Sequence, residues 1–225
     1  RFYGHWYLGP QFLSTNYAIS GNNLLSGDVL AQIGLTGFKS NGLGLYTQYD
    51  TRDNQYSAST GQTFEAHYVA YRESLGGEVS FDALTADYQY YLPYREKDVI
   101  ALHVRGRWTA DAPNSGYSSV DLRGYTRGPY LAPHMTMAEA DYRYSLNDKW
   151  GLAVFAGVAG LYGSEDEEGS NELFPAGGAG VFYQLNDEGR VVRADIAFGK
   201  DGNYGFYLQF GHGFEKYGQA LNRTV

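Results

Sequence analysis

The chain contains no cysteine, so disulfide bonds and cysteine-ligated metal sites are excluded. It also lacks any run of about 18 apolar residues, which is the length that a transmembrane helix requires. Basic residues are few, 17 against 25 acidic ones, and this balance argues against nucleic acid as a partner, because phosphate binding needs clustered Lys and Arg. If the chain crosses a bilayer, a closed β-barrel is the structure that remains.

What the chain has in excess is aromatic residues and glycine. It contains 22 Tyr, 12 Phe and 30 Gly among 225 residues, while its mean hydropathy is only −0.42. This combination is typical of strands that present one apolar face to lipid and one polar face to water.

Alternation with a period of two residues is the dominant pattern. In residues 99–109, Leu102 and Val104 fall on one face, whereas His103, Arg105 and Arg107 fall on the other. Charges at every second position cannot face hydrocarbon, so the second face must line an interior lumen. Ten segments share this pattern: 5–17, 42–50, 62–73, 80–93, 98–110, 134–146, 149–162, 174–185, 190–200 and 203–214.

The connections between these segments alternate in length, which is typical of an up-and-down barrel. Residues 94–98, 147–149 and 186–189 are short polar turns, expected on the periplasmic side, while 110–133 and 163–171 are long and expected outside the cell. Residues 28–38 could form a further strand, but an even strand count places them in an external excursion over 18–41. The fold class predicted is therefore an all-β, transmembrane, antiparallel up-and-down β-barrel with about ten strands in this chain.

Four segments resemble the BamA/TamA-type superfamily of outer-membrane assembly and translocation proteins, also called bacterial surface antigen barrels. Val120 to Tyr125, with Leu122-Arg123-Gly124-Tyr125 at its centre, is similar to the L/V-R-G-Y/F motif of that family. Asp50-Thr51-Arg52-Asp53-Asn54, with Ser59-Thr60-Gly61, resembles the D-T-R-D-N periplasmic turn of the family. Ala140 to Tyr144 resembles its A-E-Y-R-F strand, and Gly205 to Phe214 resembles its aromatic closing strand. The four matches occur in the family's order across residues 41–214.

The resemblance implies a loop–lumen anchor. In this family the R-G-Y loop folds into the lumen and its arginine binds carboxylates on the inner wall, which assigns this role to Arg123 and its partner role to Asp141. The alternation independently places Asp141 on the inward face. The next strand of the family carries an inward Asp in an F-x-D-x-G pattern, whereas this chain has Gly157 there, so Glu139 is expected to substitute.

The resemblance also sets the predicted domain boundaries. Residues 1–214 are expected to be the C-terminal portion of a barrel of 12 to 16 strands, with 111–133 as the inward-folding loop and 215–225 as a C-terminal tail. Because the chain starts abruptly at Arg1 without a signal peptide, we interpret the start as a processing or truncation boundary.

The function implied by the resemblance is non-covalent assistance to polypeptides that insert into or cross the outer membrane of a bacterial cell. The alternative is a passive pore, or a membrane anchor for an upstream or partner domain such as a lipase-like module. Expected partners are outer-membrane lipid, lipopolysaccharide and polypeptide clients. The sequence predicts no cofactor and no catalytic activity of the barrel itself.

The five histidines raise two further alternatives, a metal site and an enzymatic site. His5, His67, His103, His134 and His212 lack the spacing of a metal site. An enzymatic reading would pair His67 or His103 with Asp87 across the lumen face.

Overall fold

The computed structural model describes residues 4–16, 38–163, 171–186, 189–212 and 214. The predicted tail and most of the predicted excursion, including nearly all of the optional strand over 28–38, lie outside these residues.

All ten predicted segments form strands, which confirms the predicted fold class within this chain. The strands are β1 Trp6–Asn16, β2 Lys39–Asp50, β3 Gly61–Tyr71, β4 Phe81–Tyr94, β5 Asp98–Ala110, β6 Ser118–Ser119, β7 Leu131–Ala132, β8 His134–Ser145, β9 Trp150–Tyr162, β10 Glu172–Gln184, β11 Val191–Gly199 and β12 Tyr204–Phe210. Ten of them form one antiparallel sheet in chain order from β1 to β12, while the short β6 and β7 pair with each other inside the loop between β5 and β8.

The two faces of the sheet follow the predicted alternation. On β5, Ala101 and His103 are buried, whereas Leu102 and Val104 are each exposed over about two fifths of their surface. Burial on one face and exposed apolar side chains on the other are what a strand between a filled lumen and a lipid-facing surface requires. Among the residues described there is no helix of the length and apolarity that membrane crossing demands.

The connections separate into two ends of the sheet. Residues 51–60, 95–97, 146–149 and 185–190 join strands at one end, which we call the turn end. The loops 72–80, 111–133 and 200–203 join them at the other, which we call the loop end.

Two predicted strand limits differ from the structure by three residues or more. β2 begins at Lys39 rather than at residue 42, because it pairs with β1 as far as Asn16. β12 ends at Phe210 rather than at residue 214. Gly211 has a φ of +101°, a conformation that suits glycine, and its N–H donates to the carbonyl of Val191 at 2.6 Å.

The residues after this turn point inward instead of continuing the outer face of β12. The N–H of His212 donates to the carbonyl of Tyr56 at 2.8 Å, and the His212 side chain is buried. Phe214 packs against Tyr91 and His103 on the inner wall. The alternation predicted through residue 214 therefore stops four residues early.

Candidate functional site

The loop 111–133 lies against the inner faces of β8, β9 and β10. Val120, Leu122 and Tyr125 are almost fully buried and pack on an apolar cluster of the wall. The wall residues of that cluster are Met135, Met137, Ala159, Leu161 and Phe174, and Ala132 of the loop packs with them. Burial of this apolar surface is what holds the loop inside the lumen.

Each residue of the Leu122-Arg123-Gly124-Tyr125 motif contacts a different part of the wall. Leu122 lies over Gly157 of β9, where a Cβ atom would come within 2.9 Å of the Leu122 Cδ1. Gly124, at a φ of +99°, donates its N–H to the hydroxyl of Tyr207 on β12 at 2.8 Å. Its missing side chain allows the loop to approach the β11 backbone at Phe198.

Tyr125 links the loop to β10 and to the β11–β12 connection. Its hydroxyl donates to the carbonyl of Pro175 at 2.6 Å and accepts from the N–H of Lys200 at 2.7 Å. Its ring fills the space above Gly199, where a Cβ atom would lie 2.6 Å from the Tyr125 Cζ. Burial raises the pKa of the Tyr125 hydroxyl, so that it remains a donor.

Arg123 binds three carboxylates on two strands. Its Nη2 lies 2.6 Å from Glu139 Oε1 and 2.9 Å from Asp141 Oδ2, both on β8, and its Nη1 lies 2.8 Å from Asp195 Oδ2 on β11. The guanidinium Cζ also lies 3.5 Å from the ring centroid of Phe155, which is a cation–π contact. Burial by itself lowers the pKa of Arg123, but the charges of Glu139, Asp141 and Asp195 raise it above its usual value.

Two further arginines complete a buried charge network. Arg193 of β11 bridges Asp141 at 2.6 Å and Asp195 at 2.8 Å. Arg143 of β8 lies 3.3 Å from Asp141 and donates to the carbonyls of Ala58 and His212. We call this network the Arg123 node, and it consists of Arg123, Arg143, Arg193, Glu139, Asp141 and Asp195.

The Arg123 node contains three cations and three anions, so its net charge is zero. Its six side chains are all at least nine-tenths buried. Buried charges are tolerated only when each is paired and hydrogen-bonded. The node therefore ties the loop, β8 and β11 together in one charge-balanced contact.

The structure brings all the predicted anchor residues together and adds others. Arg193 and Asp195 alternate with the apolar residues Val192, Ala194 and Ile196, and this pattern places both on the inward face of β11. Nothing in the sequence, however, pairs β11 with β8 across the lumen. Both Asp195 and Glu139 contact Arg123, at a site where β9 supplies Gly157 in place of an acidic residue.

The predicted periplasmic turn motif is also compact. Arg52 forms an ion pair with Asp50 at 2.8 Å, and Asn54 Oδ1 accepts from the N–H of Tyr56 at 2.8 Å. Asp53 accepts from the N–H and hydroxyl of Ser59. Burial alone would raise the pKa of Asp53, but the hydrogen bonds from Ser59 lower it overall.

Of the two histidines considered for an enzyme, His103 meets Asp87 and His67 does not. His103 Nε2 lies 2.8 Å from Asp87 Oδ2, whereas His67 lies beside Glu65, at 3.9 Å, and Gln11, at 3.3 Å. In the described part of the chain, no three acidic or histidine side chains are grouped as metal ligands.

These features define an antiparallel up-and-down barrel whose lumen holds an inward-folded loop, fixed by a motif arginine. The chain belongs to the Omp85 superfamily, since the model of the Omp85 superfamily domain matches residues 14–214. Members of this superfamily are outer-membrane β-barrel proteins that insert or translocate other proteins. A comparison with curated proteins finds no match.

Proposed function

We propose that this chain is the barrel of a BamA/TamA-type protein, located in the bacterial outer membrane, which assists polypeptides that insert into or cross that membrane. The observation that carries the proposal is the Arg123 node, in which an inward-folded loop binds two separate strands through one buried guanidinium. Insertion of a client requires the barrel to change shape locally without losing its lumen structure. The node would hold β8 and β11 in place during such a change.

The place of client contact would be the seam between the first and last strands of the complete barrel. In this chain the last strand of the hydrogen-bonded order is β12, and among the described residues it pairs along one edge only, with β11. β12 has seven residues, so it offers a short edge for pairing at the seam. A weakly paired edge offers backbone hydrogen-bonding groups to an incoming strand. This mechanism forms and breaks no covalent bond.

The test is client insertion by the purified barrel in lipid vesicles. We expect Arg123→Ala to slow the folding of an unfolded β-barrel client, measured by the client's gel mobility and protease resistance. The matched control is Arg127→Ala, because Arg127 belongs to the same loop but is exposed and paired only with Asp121 among the ion pairs described. A folded Arg123→Ala barrel that inserts clients at the wild-type rate would contradict the proposal.

The alternative function, a passive pore or anchor, predicts a different outcome. Neither variant would then change client folding, because the wild-type barrel would not accelerate it. Vesicles without the barrel provide that baseline. The Arg123→Ala, Glu139→Gln double variant, which keeps the node neutral, separates an effect on insertion from simple loss of folding.

A further inference from the structure

The end of the chain's last strand crosses the turn end of the lumen. Gly211 turns the backbone inward at a φ of +101°, and a Cβ atom at this position would lie 2.6 Å from the carbonyl oxygen of Tyr56. Glycine is therefore the residue that allows the backbone to pass so close to the β2–β3 turn. We call residues 211, 212 and 214 the terminal segment.

The terminal segment is held from three sides. The N–H of His212 donates to the carbonyl of Tyr56 at 2.8 Å, and the carbonyl of His212 accepts from Arg143 Nη2 at 2.8 Å. Phe214 packs against Tyr91 of β4, with the ring centroids 6.4 Å apart. These contacts tie the end of β12 to the β2–β3 turn, to β8 and to β4.

The imidazole of His212 occupies a site that suits its neutral form. His212 is 6% exposed, and its ring meets that of Phe182 edge-on, with the centroids 4.5 Å apart. Its Nδ1 has no hydrogen-bond partner among the described residues. Protonation would turn both ring nitrogens into donors. A buried charged donor without an acceptor is costly, so the bound segment favours the neutral ring.

The charged groups that face His212 also disfavour a further positive charge. Arg143 of β8 and Arg193 of β11 remain charged throughout the physiological pH range. The facing carboxylate, Asp141 of β8, already binds both of them, at 3.3 Å and 2.6 Å. β10 faces the imidazole with the ring of Phe182, which carries no charge. Burial, followed by the charge of Arg143, therefore holds the pKa of His212 well below its usual value.

A second histidine faces the terminal segment but has a partner for its charged form. His103 packs against Phe214, with the centroids 4.8 Å apart, and its Nε2 lies 2.8 Å from Asp87 Oδ2. Protonation of His103 would strengthen this contact with a carboxylate. His103 is therefore the control for His212 and not the group that destabilises the segment.

We propose that the terminal segment is a pH-dependent latch, bound inside the lumen while His212 is neutral and released when His212 is protonated. In the released segment the imidazole is hydrated and regains its usual pKa of about 6.5. The bound state is therefore at its full stability above pH ~6.5 and weakens as the pH falls below that value. Release breaks the tie between β12 and the β2–β3 turn, while the pairing of the ten-stranded sheet is kept. The latch does not depend on client insertion.

The first experiment measures thiol labelling of a Phe214→Cys barrel in lipid vesicles as a function of pH. The chain contains no cysteine, so the introduced thiol is the single reactive site. Its labelling rate is divided by that of Glu96→Cys, in the exposed β4–β5 turn, because every thiol reacts more slowly as the pH falls. This ratio should rise about tenfold or more between about pH 8 and about pH 5. A ratio that stays constant in a folded barrel would overturn the proposal.

A second reporter leaves the terminal segment unchanged. Ala58→Cys places a thiol in the buried cluster on which Phe214 packs. Release of the segment exposes this position, so its labelling, normalised in the same way, should follow the same pH course. A thiol at 58 that stays protected while the thiol at 214 is labelled would show that the segment remains in the lumen, and the latch would be rejected.

Three variants separate the latch from other effects of pH. His212→Gln is neutral at every pH, so both reporters should stay protected at about pH 5. His103→Gln should keep the pH course of the parent, and a course that disappears with His103→Gln but survives His212→Gln would refute the assignment. Gly211→Ala, which meets the carbonyl of Tyr56, should be labelled even at about pH 8.

Folding of every variant is checked at each pH by the gel mobility of heated and unheated samples. If Gly211→Ala does not fold, His212→Arg replaces it, because its fixed charge should release the segment at every pH. A folded His212→Arg barrel whose reporters stay protected would contradict the latch.

Discussion

Removing the charge of Arg123 should unbalance the node rather than merely remove a contact. Arg123→Met keeps the length of the side chain but leaves Glu139 without its guanidinium partner, while Asp141 and Asp195 retain Arg193. The node then carries a net charge of −1 at a site that excludes water. Breaking a buried pair from one side costs about 3–5 kcal/mol, so we expect a loss of that size in the free energy of unfolding.

A second substitution tests whether this loss comes from the stranded charge. Glu139→Gln removes the unpaired carboxylate, so Arg123→Met with Glu139→Gln should be more stable than the sum of the two single changes by about 1–3 kcal/mol. The contacts of Leu122, Gly124 and Tyr125 should keep the loop inside in all variants.

The assay is urea unfolding of the barrel in detergent micelles, followed by the fluorescence of its three tryptophans. Arg127→Met is the control and should change stability by less than ~0.5 kcal/mol, since its ion pair with Asp121 is exposed. If the effects of the two node substitutions simply add, charge balance does not explain the node and the reasoning is refuted.

Two further predictions concern packing and pH. Gly157→Ala should destabilise the barrel by about 1–3 kcal/mol and expose the loop to protease, because the new Cβ atom would lie 2.9 Å from Leu122 Cδ1. Gly160→Ala is the control and should be neutral, since its Cβ atom would meet its nearest neighbour at 3.5 Å. Burial lowers the pKa of His212 well below its usual value, and the charge of Arg143 lowers it further. The free energy of unfolding should therefore be at its full value above pH ~6.5, where the histidine of the unfolded chain is neutral, and should fall as the pH decreases below that value. His212→Phe should flatten this part of a plot of unfolding free energy against pH.

The strands and their faces could be predicted from the sequence because alternation is a local property. The inward positions of Asp141 and Arg193 follow from their own neighbours in the chain. The 2.6 Å contact between these two side chains could not be predicted in this way. β8 and β11 are not adjacent in the sheet, so their contact depends on how the sheet curves. The inward turn at Gly211 was missed for a related reason. The alternation continues through Phe214 in the sequence. In the structure the backbone turns inward because the N–H groups of Gly211 and His212 donate to the carbonyls of Val191 and Tyr56, which are distant in the chain.

The glycine at position 157 explains why the loop contacts so many strands. A carboxylate there would place a charge directly beneath the loop, but a Cβ atom would approach the carbonyl of Ala138 to 2.6 Å as well as Leu122. β9 therefore supplies a flat surface for the apolar part of the motif. The acidic partners of Arg123 come instead from Glu139 on one side of β9 and Asp195 beyond its other side. Since these carboxylates lie on non-adjacent strands, the guanidinium that binds both also fixes the distance between β8 and β11. A shift of either strand would separate Arg123 from one of its partners and leave a buried charge unpaired, and the cost of that unpaired charge is what resists the shift.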